Sequence, residues 1–231
     1  MMLNEESQSS AKAQISLQPI AAPSILGLYG LAGATFMVAA HMAHWFGVGD
    51  MRTSLYLFPF AAIFGGLAQF LAGMWAYKAR DGVATAVHGM WGSFWIAYGI
   101  LCVIFAVSKI AVPVGRWPEL GFWFVVLAAV TWVTVAAASA ENGSLVTVLT
   151  FLAAGSTTAA IGEFTGVMWL MILTGYLFII ASIAAWYTGS ALMLEEAFGK
   201  EVWGLGKSRL AREMPPVSVG AGEPGVIRGQ A

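Results

Sequence analysis

Charge is what this sequence has least of. Only 10% of its 231 residues are Asp, Glu, Lys or Arg, against about 25% in a typical soluble domain. That deficit excludes an ordinary solvated surface and places the chain in the membrane class. The net charge of −1 leaves no cationic excess, so no nucleic-acid partner is expected. Cysteine occurs once, as Cys102 in an apolar run. One thiol makes neither a disulfide framework nor a metal site, and it is read as filling helix-packing space. The sequence also lacks a nucleophile paired with a base and a phosphate-binding loop. No catalytic residue, metal or cofactor is therefore assigned, and no enzyme activity is expected. A cleavable leader is missing too: Met1 to Gln18 is polar, with Glu5, Glu6 and Lys12, so the first apolar run reads as a retained helix.

What is abundant is apolar. Hydrophobic residues make up 59% of the chain, and ten are tryptophan, which suits helices that end at lipid headgroups. A membrane span needs roughly 20 apolar residues. Six stretches meet or approach that length: Ile25–Phe46, Leu55–Tyr77, Val83–Val107, Leu120–Ala140, Ser144–Gly162 and Val167–Leu194. None contains Asp, Glu, Lys or Arg; the charges fall between them, at Asp50 and Arg52, then Lys78, Arg80 and Asp81, then Lys109, Arg116 and Glu119, then Glu141, then Glu163. Helices satisfy their own backbone in hydrocarbon, and the alternating polarity of a barrel is absent. The expected fold is an all-α membrane protein of six transmembrane helices.

Six spans put both termini on one side. With that side cytoplasmic, the inside segments hold Lys12, Lys78, Arg80, Lys200, Lys207, Arg209, Arg212 and Arg228, and the outside loops only Arg52, Lys109 and Arg116. Positive charge favours the cytoplasmic side. Residues 1–22 are expected to be a cytoplasmic segment and 23–206 the transport domain. Residues 207–231, with Pro215, Pro216 and Pro224, are expected to be a disordered cytoplasmic tail.

Polar and small residues inside the spans are the site candidates. Pro23 suits a first helical turn, where a missing N–H costs nothing. Gly27, Gly30 and Gly33 recur every three residues, which serves either close helix packing or the wall of a pore. Gln69 lies mid-span, and a buried amide there must bond a neighbouring helix or line a wet path. Ser156, Thr157 and Thr158 are read as bonding back to their own backbone. His41 and His44 are three apart, which on a helix gives them one face. Each reads as an interfacial imidazole, a proton carrier or a haem ligand; His88 reads similarly. Glu163 is either a loop carboxylate or a proton-binding group in an outer vestibule.

Several short motifs then fall in order. Ala22-Pro23-Ser24-Ile25-Leu26-Gly27-Leu28-Tyr29-Gly30-Leu31 resembles Asn-Pro-x-Pro-Leu-Gly-Leu-x-Gly-Phe, the opening of the acetate uptake transporter family, which includes bacterial succinate–acetate permeases. The family's Gly-Gly-x-x-Gln-x-x-Ala-Gly matches Gly65 to Gly73 at every fixed position, and its Tyr-Gly-x-Phe-Trp matches Trp91-Gly92-Ser93-Phe94-Trp95. Its late helix-one histidine is His41, its Ala-Ile-Gly is Ala160-Ile161-Gly162, and its closing Asn-Glu-x-Phe-Gly-Arg pattern falls on Glu195-Glu196-Ala197-Phe198-Gly199-Lys200. The resemblance implies six helices around a central solute path, a homohexamer in the inner membrane, and uptake of acetate or a related short carboxylate, proton-coupled or channel-like. It also implies a constriction at Leu31, Trp91 and Leu152. The expected solute path runs along Pro23, Ser24, Leu26, Gly27, Tyr29 and Gly30, with Gln69 and Ser93. His41 and Glu163 are the candidates for proton handling. The chain leaves the family pattern at Ala22, Ile25, Leu31, Trp91 and Glu163, where selectivity would be set. A channel for urea, an amide or ammonia is the competing expectation.

Overall fold

The computed structural model describes residues 21–48, 53–108 and 115–213. Asp50, Arg52 and Lys109, the N-terminal segment through residue 20 and the tail from residue 214 lie outside them. Among the described residues there are six helices long and apolar enough to cross a membrane, and no strand.

The first span is α1 (Pro23–Met42), with Pro23 in its first turn. The second is composite: α2 (Thr53–Pro59), a π-helical stretch (Phe60–Leu67) and α3 (Ala68–Ala79). Pro59 has no N–H and crowds the preceding carbonyls. The ladder widens immediately after it, and Ala68 N–H still donates to Ile63 O, five residues back. Wide turns of this kind are rare and cluster at functional sites. The remaining spans are α4 (Gly82–Val107), α5 (Pro118–Ala138), α6 (Gly143–Thr165) and α7 (Met168–Phe198), followed by the short α8 (Arg209–Glu213).

Each span packs on the next in chain order, and α7 returns to pack on α1. The six spans therefore close into a ring, with α1 and α4 also touching across it. Glycines let the backbones close in. A Cβ at Gly73 would stand 2.7 Å from the Gly89 amide nitrogen, so α3 and α4 meet backbone to backbone. Small residues serve this purpose where lipid offers no hydrophobic drive between helices. Gly27 lies against His88, and Gly30 against Phe64, Ala68 and Gln69, which makes the glycine row of α1 a packing surface. Ser156, Thr157 and Thr158 donate to Leu152 O, Ala153 O and Gly155 O of their own helix.

Two local expectations need correcting. α1 ends at Met42, and His44 sits beyond it with φ 61°, so His41 and His44 do not share a helix face. Lys207 and Ser208, expected within the tail, are bonded to the helices. Ser208 N–H donates to Glu141 O, Gly143 N–H to Gly206 O, and Lys207 pairs with Glu195 at 2.5 Å. These bonds tie residues 206–208 to the start of α6 and the end of α7.

Candidate functional site

The starts of α1, α4 and α6 and the end of α7 surround one cavity of about 350 Å³. Alternating helix direction places these ends on one face of the ring. α4 begins with Asp81, whose carboxylate accepts Ala84 N–H at 2.9 Å. α6 begins with Asn142, which accepts Leu145 N–H at 2.8 Å. α1 begins at Ala22, which offers no side-chain cap. First-turn amides without a partner make a helix start electropositive, and α1 is the uncapped one of the three.

Asp81, His88 and Glu141 are the titratable side chains among the described residues lining the cavity, and no Lys or Arg lines it. Burial, and then the nearby Asp81 charge, push the Glu141 carboxyl up to about 7. The mouth is thus acidic, with one carboxyl that gains and loses its proton near neutral pH.

The innermost lining residues are Leu31 on α1, His88 on α4 and Leu149 on α6. One turn deeper along α4 and α6 stand Trp91 and Leu152. Leu31, Trp91 and Leu152 are each at most 1% exposed and belong to one buried apolar cluster. Trp91 donates its indole N–H to Thr131 Oγ1 on α5 at 3.1 Å, and its ring meets Phe94 and Phe178 edge-on. Its polar atom is therefore satisfied by α5, and what closes the cavity is apolar. An ion would pay a heavy desolvation cost there.

His88 is 2% exposed, and its Nδ1 has no hydrogen-bond partner. This corrects its interfacial reading. Its ring lies over the bare Cα of Gly27, where a Cβ would stand 2.5 Å from Nδ1 and Nε2.

The other expected path residues divide. Pro23 and Ser24 line the cavity. Leu26 does not; it is 44% exposed on the outside of α1. Tyr29 turns to α7, its hydroxyl 2.9 Å from Ser190 Oγ. Ser93 is exposed and donates to Gly89 O of its own helix. Gln69 is fully buried against Gly30, and neither amide atom has a partner; it is not among the cavity's lining residues. His41 hydrogen-bonds Phe46 O at 3.0 Å at the end of α1. Glu163 is half-buried at the end of α6 remote from the cavity, where its backbone carbonyl accepts Trp117 N–H. Sequence reasoning took Glu141 only as a charge between spans and weighed His88 as interfacial, so neither was assigned to the site. A helical signal for His88 was present: it lies three residues before Trp91 as Gly27 lies four before Leu31, so both helices climb one turn together.

Among the described residues no group of three or more His, Cys, Asp or Glu converges on a metal position.

The chain is 28% identical over 191 residues to a protein of Methanothermobacter thermautotrophicus, covering 78% of this chain and 88% of that one. It is 25% identical over 191 residues to the succinate-acetate/proton symporter SatP of Escherichia coli, covering 82% of this chain and 97% of the relative. It is 28% identical over 178 residues to ammonia transport outward protein 3 of Saccharomyces cerevisiae, covering 76% of this chain and 64% of that one. In fold it matches the structure of the bacterial acetate channel SatP with a TM-score of 0.73 at 22% identity, over 81% of this chain and all of that one. The model of the GPR1/FUN34/yaaH family matches residues 5–199, across all six spans of this multi-pass membrane protein, and the chain belongs to that family.

Proposed function

We propose that this protein carries acetate or a related short carboxylate across the bilayer, along a path inside each protomer. The cavity that ends on Leu31, with Trp91 and Leu152 fully buried behind it, carries this reading. The cavity admits a small solute, and the apolar neck gates it. At the uncapped start of α1, Ser24 offers its backbone N–H to a carboxylate, as helix starts do to anions, while Pro23, which has none, shapes the first turn. The succinate-acetate and acetate names of the relatives support the substrate class. Residues 23–206 form the transport unit. The protein works as a homohexamer in the inner membrane, both termini are cytoplasmic, and passage is coupled to protons.

The neck decides the form in which the solute crosses. With a carboxyl pKa of roughly 4.3, about one molecule in several hundred is neutral at pH 7. An anion is costly in an apolar neck, so protonation accompanies passage. Labelled acetate uptake into proteoliposomes, with and without an imposed pH gradient, tests this. Accumulation that follows the gradient is expected, and accumulation indifferent to it removes the coupling.

The acidic lining of Asp81 and Glu141 favours a second reading, passage of ammonia recruited as ammonium, in keeping with the name of the yeast relative. Methylammonium flux without acetate flux in the same vesicles would select it.

A further inference from the structure

We propose that His88 hands the permeant carboxylate its proton at the floor of the cavity, one helical turn before the neck, so that the acid rather than the anion passes Leu31, Trp91 and Leu152. The inference rests on the carboxylate reading above and names the group that carries it out.

Three observations place the proton there. His88 lines the cavity. It is almost wholly buried, yet its Nδ1 meets no protein partner, and a buried polar atom left open in this way is costly unless something visits it. The ring is also held in place. Gly27 gives it room on the α1 side, while α3 presses on the backbone at His88 and Gly89 through Gly73. The groups that face it from the packed elements are few. α1 brings Gly27 and α3 brings Gly73, neither of them charged. The cavity adds Asp81 and Glu141 at its mouth.

The step balances without a further reactant. A proton from the solution at the mouth is relayed along the cavity's water, where each water that gives one up receives another and no hydroxide remains. It protonates the imidazole as the anion arrives, since the opposite charge favours the imidazolium. In the low dielectric below the neck the ion pair collapses: the N–H bond breaks, a carboxyl O–H bond forms, and two neutral species remain. The acid moves on, and the imidazole draws its next proton from water at the acidic mouth. His41 and Glu163 lie at the other end of the bundle and take no part in this transfer.

The test is labelled acetate uptake by the full-length protein in vesicles at pH 7.5 and pH 6, corrected for protein-free vesicles, for wild type, His88→Gln and His88→Asn. Either amide keeps a hydrogen-bonding group but cannot deliver a proton. The expected result is a loss of about tenfold at pH 7.5 that shrinks to about twofold at pH 6, where roughly thirtyfold more of the acid is already neutral in solution. Equal loss at both pH values means the ring only holds the fold, and overturns the proposal. So does a wild-type rate at pH 7.5 in either variant. Absence of acetate uptake by wild type at both pH values overturns the transport reading itself, and this inference with it.

Discussion

The indole N–H of Trp91 donates to Oγ1 of Thr131 at 3.1 Å, and that hydroxyl in turn donates to Leu127 O at 2.6 Å. The largest side chain at the neck is thereby anchored on α5, outside the α1–α4–α6 triad it closes. Thr131→Val keeps the shape and removes the acceptor. A buried donor left open costs about 1–3 kcal/mol, or roughly 2–4 °C of melting temperature per kcal/mol at this chain length. We expect the purified variant to melt lower by that amount, with tryptophan emission shifted. An unchanged melt would mean the bond anchors nothing.

Gly27 and His88 occupy one volume between them. A methyl at Gly27 runs into the imidazole, and overpacking of this kind costs about 1–3 kcal/mol. Gly27→Ala is expected to destabilise the protein, and His88→Ala in the same chain to recover most of that loss. A double-mutant cycle measures the coupling. Additive losses would show that the glycine is needed for another neighbour.

Glu141 supplies a pH signature. Its folded-state pKa of about 7, raised by burial and then by Asp81, exceeds an unfolded value of roughly 4.3. The folded state then holds the proton to higher pH than the unfolded chain does. Its contribution is fully present at pH 4 and falls as pH rises toward and through 7. Glu141→Gln removes that loss. The variant should match wild type in thermal stability at pH 5 and exceed it at pH 8 by about 1 kcal/mol, discounted for partial exposure. A difference of the same size at both pH values would point to lost hydrogen bonding instead.

The spans were legible because hydrocarbon enforces them: charge-free runs bounded by Lys78, Arg80 and Asp81, or by Glu141, leave helices little freedom to end elsewhere. Side-chain direction was not legible. Leu26 and Tyr29 sit in the same motif as Gly27, yet turn outward and toward α7, because a 100° step per residue gives only some positions to the interior. The π-helical stretch after Pro59 shifts that phase again, and no periodicity announces it. His88 read as interfacial by its distance from the helix start. That distance ignores α1 and α3, whose Gly27 and Gly73 pack against it. Glu141 belongs to a short link, and its importance arises only when three helix starts meet.

Leu152 separates a gate from mere packing. It is fully buried, so Leu152→Ala costs about 2–5 kcal/mol as a core truncation and should lower the melting temperature. If the residue only packed, flux would fall with stability. At the neck the same truncation widens the apolar passage beyond the cavity floor, so the opposite sign is expected for transport: faster acetate uptake per folded protein, and measurable uptake of butyrate, which is longer by two methylenes. Leu149→Ala, one turn nearer the mouth on the cavity wall, carries a similar truncation without touching the neck and should leave the acetate-to-butyrate ratio unchanged. Comparing the two ratios in vesicles of matched protein content assigns the selectivity step. Equal ratios would move the gate away from Leu152.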